Sequence, residues 1–198
     1  MPRNEKKRTL KNSIRKYADI ACALLMSACV GEVVGEYCTH QCYYVMDFQY
    51  GHTTSHLYPA LNSTNTFAII SVSSNGTAYK LNSERYGASS QQENVSESLL
   101  TQPSRHLGLN NGLIVGRSSF QDDQLYVFDR QCPNCFNDNH RANYPLRFKD
   151  ALNVECTSCQ RVYGLLNGGV VVSVDNGEKL FRYHASYVGT VFKVQNPQ

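Results

Sequence analysis

The sequence predicts an all-β domain, a small sandwich or barrel carrying a two-knuckle Cys₄ subdomain. Three observations carry this expectation. From Asn111 onward, short apolar β-prone runs recur at regular spacing. Gly- and Asn-rich turns separate them, notably Asn167-Gly168-Gly169 and Asp175-Asn176-Gly177. Two Cys-x-x-Cys pairs, Cys132/Cys135 and Cys156/Cys159, sit among those runs with 20 residues between them.

The chain begins with a basic head. Arg3, Lys6, Lys7, Arg8, Lys11, Arg15 and Lys16 are seven of the 19 positive charges, against Glu5 and Asp19. An apolar segment follows, Ile20 to Cys29. A basic region, a short apolar segment and small residues are the ingredients of a secretory signal, expected over residues 1–28. Leu25-Met26-Ser27-Ala28-Cys29 resembles a bacterial lipobox, which implies lipidation of Cys29 and anchoring to a membrane in the cell envelope. An amphipathic N-terminal helix is the alternative. No apolar run approaches the roughly 18 residues of a spanning helix.

Without residues 1–28, the formal charge of +3 becomes −2, from 12 positive and 14 negative side chains. Nothing then attracts the chain to a phosphate backbone, so no nucleic-acid partner is expected.

Residues 29–64 are expected to pack on the domain that follows, and 30–60 show no clear period. Phe67–Val72 and Thr77–Leu81 read as strands joined through Asn75-Gly76, a strong hairpin signal. Residues 82–106 are polar and read as a long surface loop, with a helix near Asn94–Leu100 as the alternative. Further strands are expected at Leu113–Gly116, Leu125–Phe128, Leu146–Phe148, Leu152–Val154, Val162–Leu165, Val170–Val174, Leu180–Tyr183 and Thr190–Val194. The main domain is placed at 65–198, with metal-binding loops at 130–136 and 155–161.

Paired Cys-x-x-Cys knuckles at this separation are a strong metal signal. Each tight turn directs two thiolates at one ion, and two facing turns complete a tetrahedral S₄ site suited to zinc or mononuclear iron. Two disulfides are the alternative for an exported chain. A thioredoxin-like redox pair at Cys132/Cys135 lacks its βαβ context.

The surroundings of the knuckles resemble a known family. Leu125 to Asn134, where a strand and Asp129 lead into Cys132-Pro133-Asn134, looks like the first cluster-binding loop of Rieske proteins. Cys156 to Leu165, then Gly168-Gly169, resembles the second loop. The resemblance covers about residues 112–194 and extends, through the lipobox, to Rieske-like lipoproteins of the Bacteroidetes group that carry a four-Cys variant. It implies a Rieske-like β fold. The family's two His ligands are absent: Asn134 and Cys159 stand in their places, with Cys135 added. The resemblance therefore implies the fold with a four-thiolate site, taking zinc first, rubredoxin-like iron second, and a 2Fe–2S cluster third.

A second pattern, Cys38-x₃-Cys42-x₉-His52-x₃-His56, is looser. Its central spacing is shorter than the roughly 12 residues of a Cys₂His₂ finger. A Cys38–Cys42 disulfide, or two buried thiols, is expected there instead. His106, His140 and His184 are isolated, Asp122, Asp123 and Asp129 form no recognisable acid/base pair, and no nucleophile elbow, P-loop or dinucleotide fingerprint occurs. The functional expectation is a metal-binding lipoprotein without catalysis. An electron carrier using the same cage and an oxidoreductase acting through Cys132/Cys135 are the alternatives.

Overall fold

The strands Phe67–Ser74, Leu113–Ser118 and Gln124–Asp129 are apolar on consecutive residues, not on alternate ones, because the part of the sheet they form is buried on both faces. The computed structural model describes residues 36–74, 79–95, 107–120, 123–173 and 176–195. The expected signal segment and Cys29 lie outside them. The central sheet has five antiparallel strands in the order β4-β3-β2-β5-β6: β2 (Phe67–Ser74), β3 (Tyr79–Glu84), β4 (Gln91–Val95), β5 (Leu113–Ser118) and β6 (Gln124–Asp129).

Along β2 and β5 the side chains divide between two cores. Ala68, Ile70, Leu113 and Val115 join one cluster, while Phe67, Ile69 and Ile114 join the other. The first cluster is closed by a three-stranded sheet, β1 (Tyr43–Asp47), β12 (Val191–Gln195) and β11 (His184–Val188), with β12 in the middle. It supplies Tyr44, Met46, Phe192 and Val194, and helix α1 (Leu57–Asn62) adds Leu57, Ala60 and Leu61. The second cluster is closed by a four-stranded sheet, β10-β9-β8-β7, which carries half of the cysteine site. These strands are β7 (Leu146–Phe148), β8 (Asn153–Cys156), β9 (Val162–Gly164) and β10 (Val170–Val171).

The expected hairpin is present, with Ser74 opposite Tyr79 and Val72 opposite Leu81. Its Asn75-Gly76 turn lies outside the described residues. Four expectations need correction. The stretch 82–95 is not one long loop: β3 runs on to Glu84 and the polar stretch Gln91–Val95 is an edge strand, with a turn at 85–90 between them, while 96–106 lie outside the described residues. An edge strand with one solvated face has no apolar signature to find. Leu180–Tyr183 is not a strand either. It makes an isolated bridge, Arg182 to Phe128, and hydrogen-bonds β6 through Tyr183 N–H to Val127 O at 2.9 Å. The strand comes one step later, at β11. Of the run Val170–Val174, only Val170–Val171 is strand among the described residues, and Val174 lies outside them. Finally, β1 arises from a stretch that showed no period, because its alternation is carried by only two buried side chains, Tyr44 and Met46, between the half-buried Tyr43, Val45 and Asp47.

Gly116 shows how tightly the middle layer is built. A Cβ there would stand 2.5 Å from the carbonyl oxygen of Thr66 and overlap the Phe67 ring. Gly168 and Gly169 adopt φ of 80° and 76°, the left-handed turn the sequence calls for.

Candidate metal centre

Cys132 follows β6 and is the N-cap of helix α2 (Pro133–Asn139). Pro133 occupies the first helical turn, where its missing N–H costs nothing, and the first helical bond runs from Phe136 N–H to Cys132 O at 3.0 Å. That turn brings the Cys135 sulfur back beside Cys132. The second knuckle is the β8–β9 connection. Cys156 ends β8, and Gln160, at φ 59°, donates its N–H to Cys156 O at 2.8 Å. Cys156 N–H in turn donates to Arg161 O at 3.0 Å.

The two knuckles face each other. The four Sγ atoms all lie within 4.8 Å of one another. Cys132 Sγ is 3.7 Å from Cys159 Sγ, and Cys135 Sγ is 3.7 Å from Cys156 Sγ. A tetrahedral ion with bonds of about 2.3 Å requires S···S edges of about 3.8 Å. The cage therefore has the dimensions of a single-ion site. Cys132, Cys135 and Cys156 are buried and Cys159 is half-exposed, so the site opens toward solvent only at its fourth corner.

Polar groups around the sulfurs hold them in place. The Tyr163 hydroxyl lies 3.2 Å from Cys132 Sγ and accepts from Asn134 Nδ2 at 2.8 Å, which leaves its own proton for the sulfur. Asn134 is saturated: Nδ2 also donates to Glu178 O at 3.1 Å, and Oδ1 accepts from Glu178 N–H at 3.0 Å. It clamps the chain around residue 178 over the first knuckle. Gln131, fully buried, donates Nε2–H to Cys132 O at 3.0 Å and accepts from Asn110 Nδ2 and Tyr144 N–H. Beneath it Asp129, also fully buried, accepts from Gln131 N–H, Leu109 N–H and the Tyr183 hydroxyl, each at 2.7 Å.

These surroundings divide the thiols. Burial pushes the Cys132 thiol up to about 11, opposed by the Cys135 N–H and the Tyr163 hydroxyl. Burial also raises Cys135, and the hydrogen bond that it donates to Cys159, charge on Cys132 and the bond to Cys156 add to it. At Cys159 burial acts in the same direction. There it is outweighed by the Arg161 backbone and guanidinium and by Cys135 and Cys132, which bring the thiol down to about 7. Loading an ion must displace protons from the cage, so affinity rises with pH.

All four predicted ligands converge. The looser pattern does not: Cys38 and Cys42 are free thiols, His52 Nδ1 lies 3.1 Å from Glu93 Oε2, and His56 Nε2 lies 2.8 Å from Ser89 O. Among the described residues, the four-Cys group is the one cluster of three or more His, Cys, Asp or Glu suited to an ion. His140 is exposed and serves as the left-handed C-cap of α2, remote in role from the sulfurs. Sequence reasoning placed Asn134 and Tyr163 only by position and gave Asp129 no role. The side-chain contacts that give them these roles are distant in sequence, Asn134 to Tyr163 across 29 residues and Asp129 to Tyr183 across 54, so no local pattern marks them. No family model, curated protein or solved structure matches this chain.

Proposed function

We propose that this chain is a cell-envelope lipoprotein with a Rieske-like domain, in which Cys132, Cys135, Cys156 and Cys159 hold one zinc ion as a closed structural centre. The observation that carries the reading is the size of the cage, with two S···S edges of 3.7 Å against about 3.8 Å for a zinc tetrahedron. All four positions are supplied by the protein, so substrate or water has no place on the ion, and a non-catalytic role follows. A 2Fe–2S cluster ranks last. It inserts a second iron and bridging sulfides between the two cysteine pairs, whereas no two of these sulfurs are more than 4.8 Å apart.

The test is anaerobic purification followed by metal analysis and an absorption spectrum. About one zinc per chain and a colourless protein are expected. Stoichiometric iron refutes the zinc reading. A second reading, electron transfer by a single iron in the same cage, is favoured by the half-exposed corner at Cys159, which shortens the path from ion to surface. It requires a coloured protein that bleaches with dithionite. The anchor is tested separately: labelled palmitate should be incorporated by the wild type and not by Cys29→Ala.

A further inference from the structure

The chain that follows β10 is fixed at two points by backbone hydrogen bonds. Val172 N–H donates to Val162 O at 2.8 Å, and Leu180 N–H donates to Gly169 O at 2.9 Å. Between these points Asn176, Gly177, Glu178 and Lys179 are exposed. Among the described residues they make no backbone–backbone hydrogen bond. Two side chains hold the segment instead, one from each metal knuckle.

Asn134 stands between the ligands Cys132 and Cys135 and grips both main-chain groups of Glu178. Its Nδ2 donates to Glu178 O at 3.1 Å, and its Oδ1 accepts from Glu178 N–H at 3.0 Å. Arg161, two residues beyond the ligand Cys159, donates Nε–H to Asn176 O at 3.3 Å. Its carbonyl accepts the N–H of the ligand Cys156 at 3.0 Å, so it belongs to the second knuckle. Residues 176–178 therefore span from one knuckle to the other. The fit is close at the middle residue. A Cβ on Gly177 would lie 2.7 Å from Asn134 Oδ1 and 2.9 Å from Arg161 Nε. Asn134 has little room to yield, because it is buried and its Nδ2 is also held by the Tyr163 hydroxyl at 2.8 Å. Glycine is needed here for close approach of the backbone.

We propose that residues 176–178 are a latch across the two knuckles, held shut by the bound ion and setting how readily that ion leaves. This rests on the four-Cys metal reading above. For the ion to leave, the two cysteine pairs must part, and the shut latch ties Asn134 on one side to Arg161 on the other. An ion in the cage holds both side chains at the separation that the segment fits. Coupling of this kind is reciprocal: a latch that favours the loaded cage is itself favoured by the ion. The segment opens without disturbing the core beneath, since it is exposed and held by side chains alone, while Leu180 stays buried beyond it.

The experiment uses the full chain, with zinc content measured first. Release of zinc to a chromophoric chelator is timed for wild type and Gly177→Ala, and urea unfolding of both proteins is followed with and without zinc. Gly177→Ala should still bind one ion per chain and release it about tenfold faster, the lower end of what groups around metal ligands contribute to affinity. It should cost the loaded protein more stability than the metal-free one. In the wild type, the Glu178 amide should exchange its hydrogen at least about tenfold faster once zinc is removed, while the Leu180 amide stays protected. Release at the wild-type rate overturns the latch, as does an equal loss of stability with and without zinc, which is how a passive loop behaves. Equal protection of the Glu178 amide in both states of the wild type overturns it too, and that measurement needs no variant. A chain that purifies without any ion and takes up none overturns the metal reading and the latch with it.

Discussion

Asp129 is a fully buried carboxyl at the end of β6, where the central sheet hands the chain to the first knuckle. Burial pushes it up from 3.8 to about 6, against the opposing pull of Leu109 N–H, the Tyr183 hydroxyl and Gln131 N–H. A carboxyl raised in this way binds its proton more tightly in the folded protein than in the unfolded one. Its contribution to stability is complete below about pH 4 and is lost as the pH rises through about 6. A shift of about two units, at about 1.4 kcal/mol each, amounts to ~3 kcal/mol. Asp129→Asn keeps the volume and removes the titration. It also turns an amide N–H toward one of the three donors, a pH-independent cost of about 1–3 kcal/mol. The assay is urea unfolding of both metal-loaded proteins from about pH 4 to about pH 7. Proton competition at the cage acts on both and cancels in their difference. The stability of wild type relative to variant should fall by about 2 kcal/mol across that range, which holds most of the titration. A difference that stays constant within about 0.5 kcal/mol refutes the reasoning.

Other perturbations separate the parts of the molecule. Tyr163→Phe removes the hydroxyl 3.2 Å from Cys132 Sγ and leaves one of the two Asn134 Nδ2 N–H groups without its acceptor; a loss of about 1–2 kcal/mol and faster ion release to a chelator are expected. Cys156→Ser leaves three thiolates, and the purified protein should then contain well under one ion per chain by metal analysis, where retention of a full equivalent counts against a four-thiolate site. Gly116→Ala places a methyl group against Phe67 and the Thr66 carbonyl in the middle layer; it should lower stability by about 3 kcal/mol in urea without changing metal stoichiometry. Chelation of the ion should first expose amides of α2 and the β8–β9 turn to hydrogen exchange, while β2 and β5 stay protected.

The parts of this fold that could be read in advance are those whose signal is local. The hairpin of β2 and β3 declares itself through apolar runs on either side of Asn-Gly, and β5, β6, β7 and β9 through dense apolar residues bounded by turns. The four ligands were legible because a Cys-x-x-Cys turn is chemistry and geometry in one short string. What escaped is set by distant partners. β4 reads as loop because Gln91 to Asn94 carry no apolar side chain, and pairing with β3 alone makes them a strand. β11 was displaced to Leu180–Tyr183 because that segment is apolar for another reason. Leu180 packs in the cluster with the cysteines and Tyr183 reaches Asp129. Apolar character there records burial, not sheet pairing.

The same distinction explains why the site can be assembled before an ion arrives. Cys132, Cys135 and Cys156 belong to the apolar cluster formed with Leu146, Val154, Tyr163 and Leu165, and a protonated thiol packs as a small hydrophobic group. The hydrogen bonds that place the ligands come from Gln131, Asn134 and the strand ends, none of which requires metal. The second face of the central sheet thus supplies a preformed cage, and the free energy of ion binding is left for the displacement of thiol protons and the ordering of α2 and the Thr157–Gln160 turn. A site built in this way loses its ion without losing the sheet beneath it.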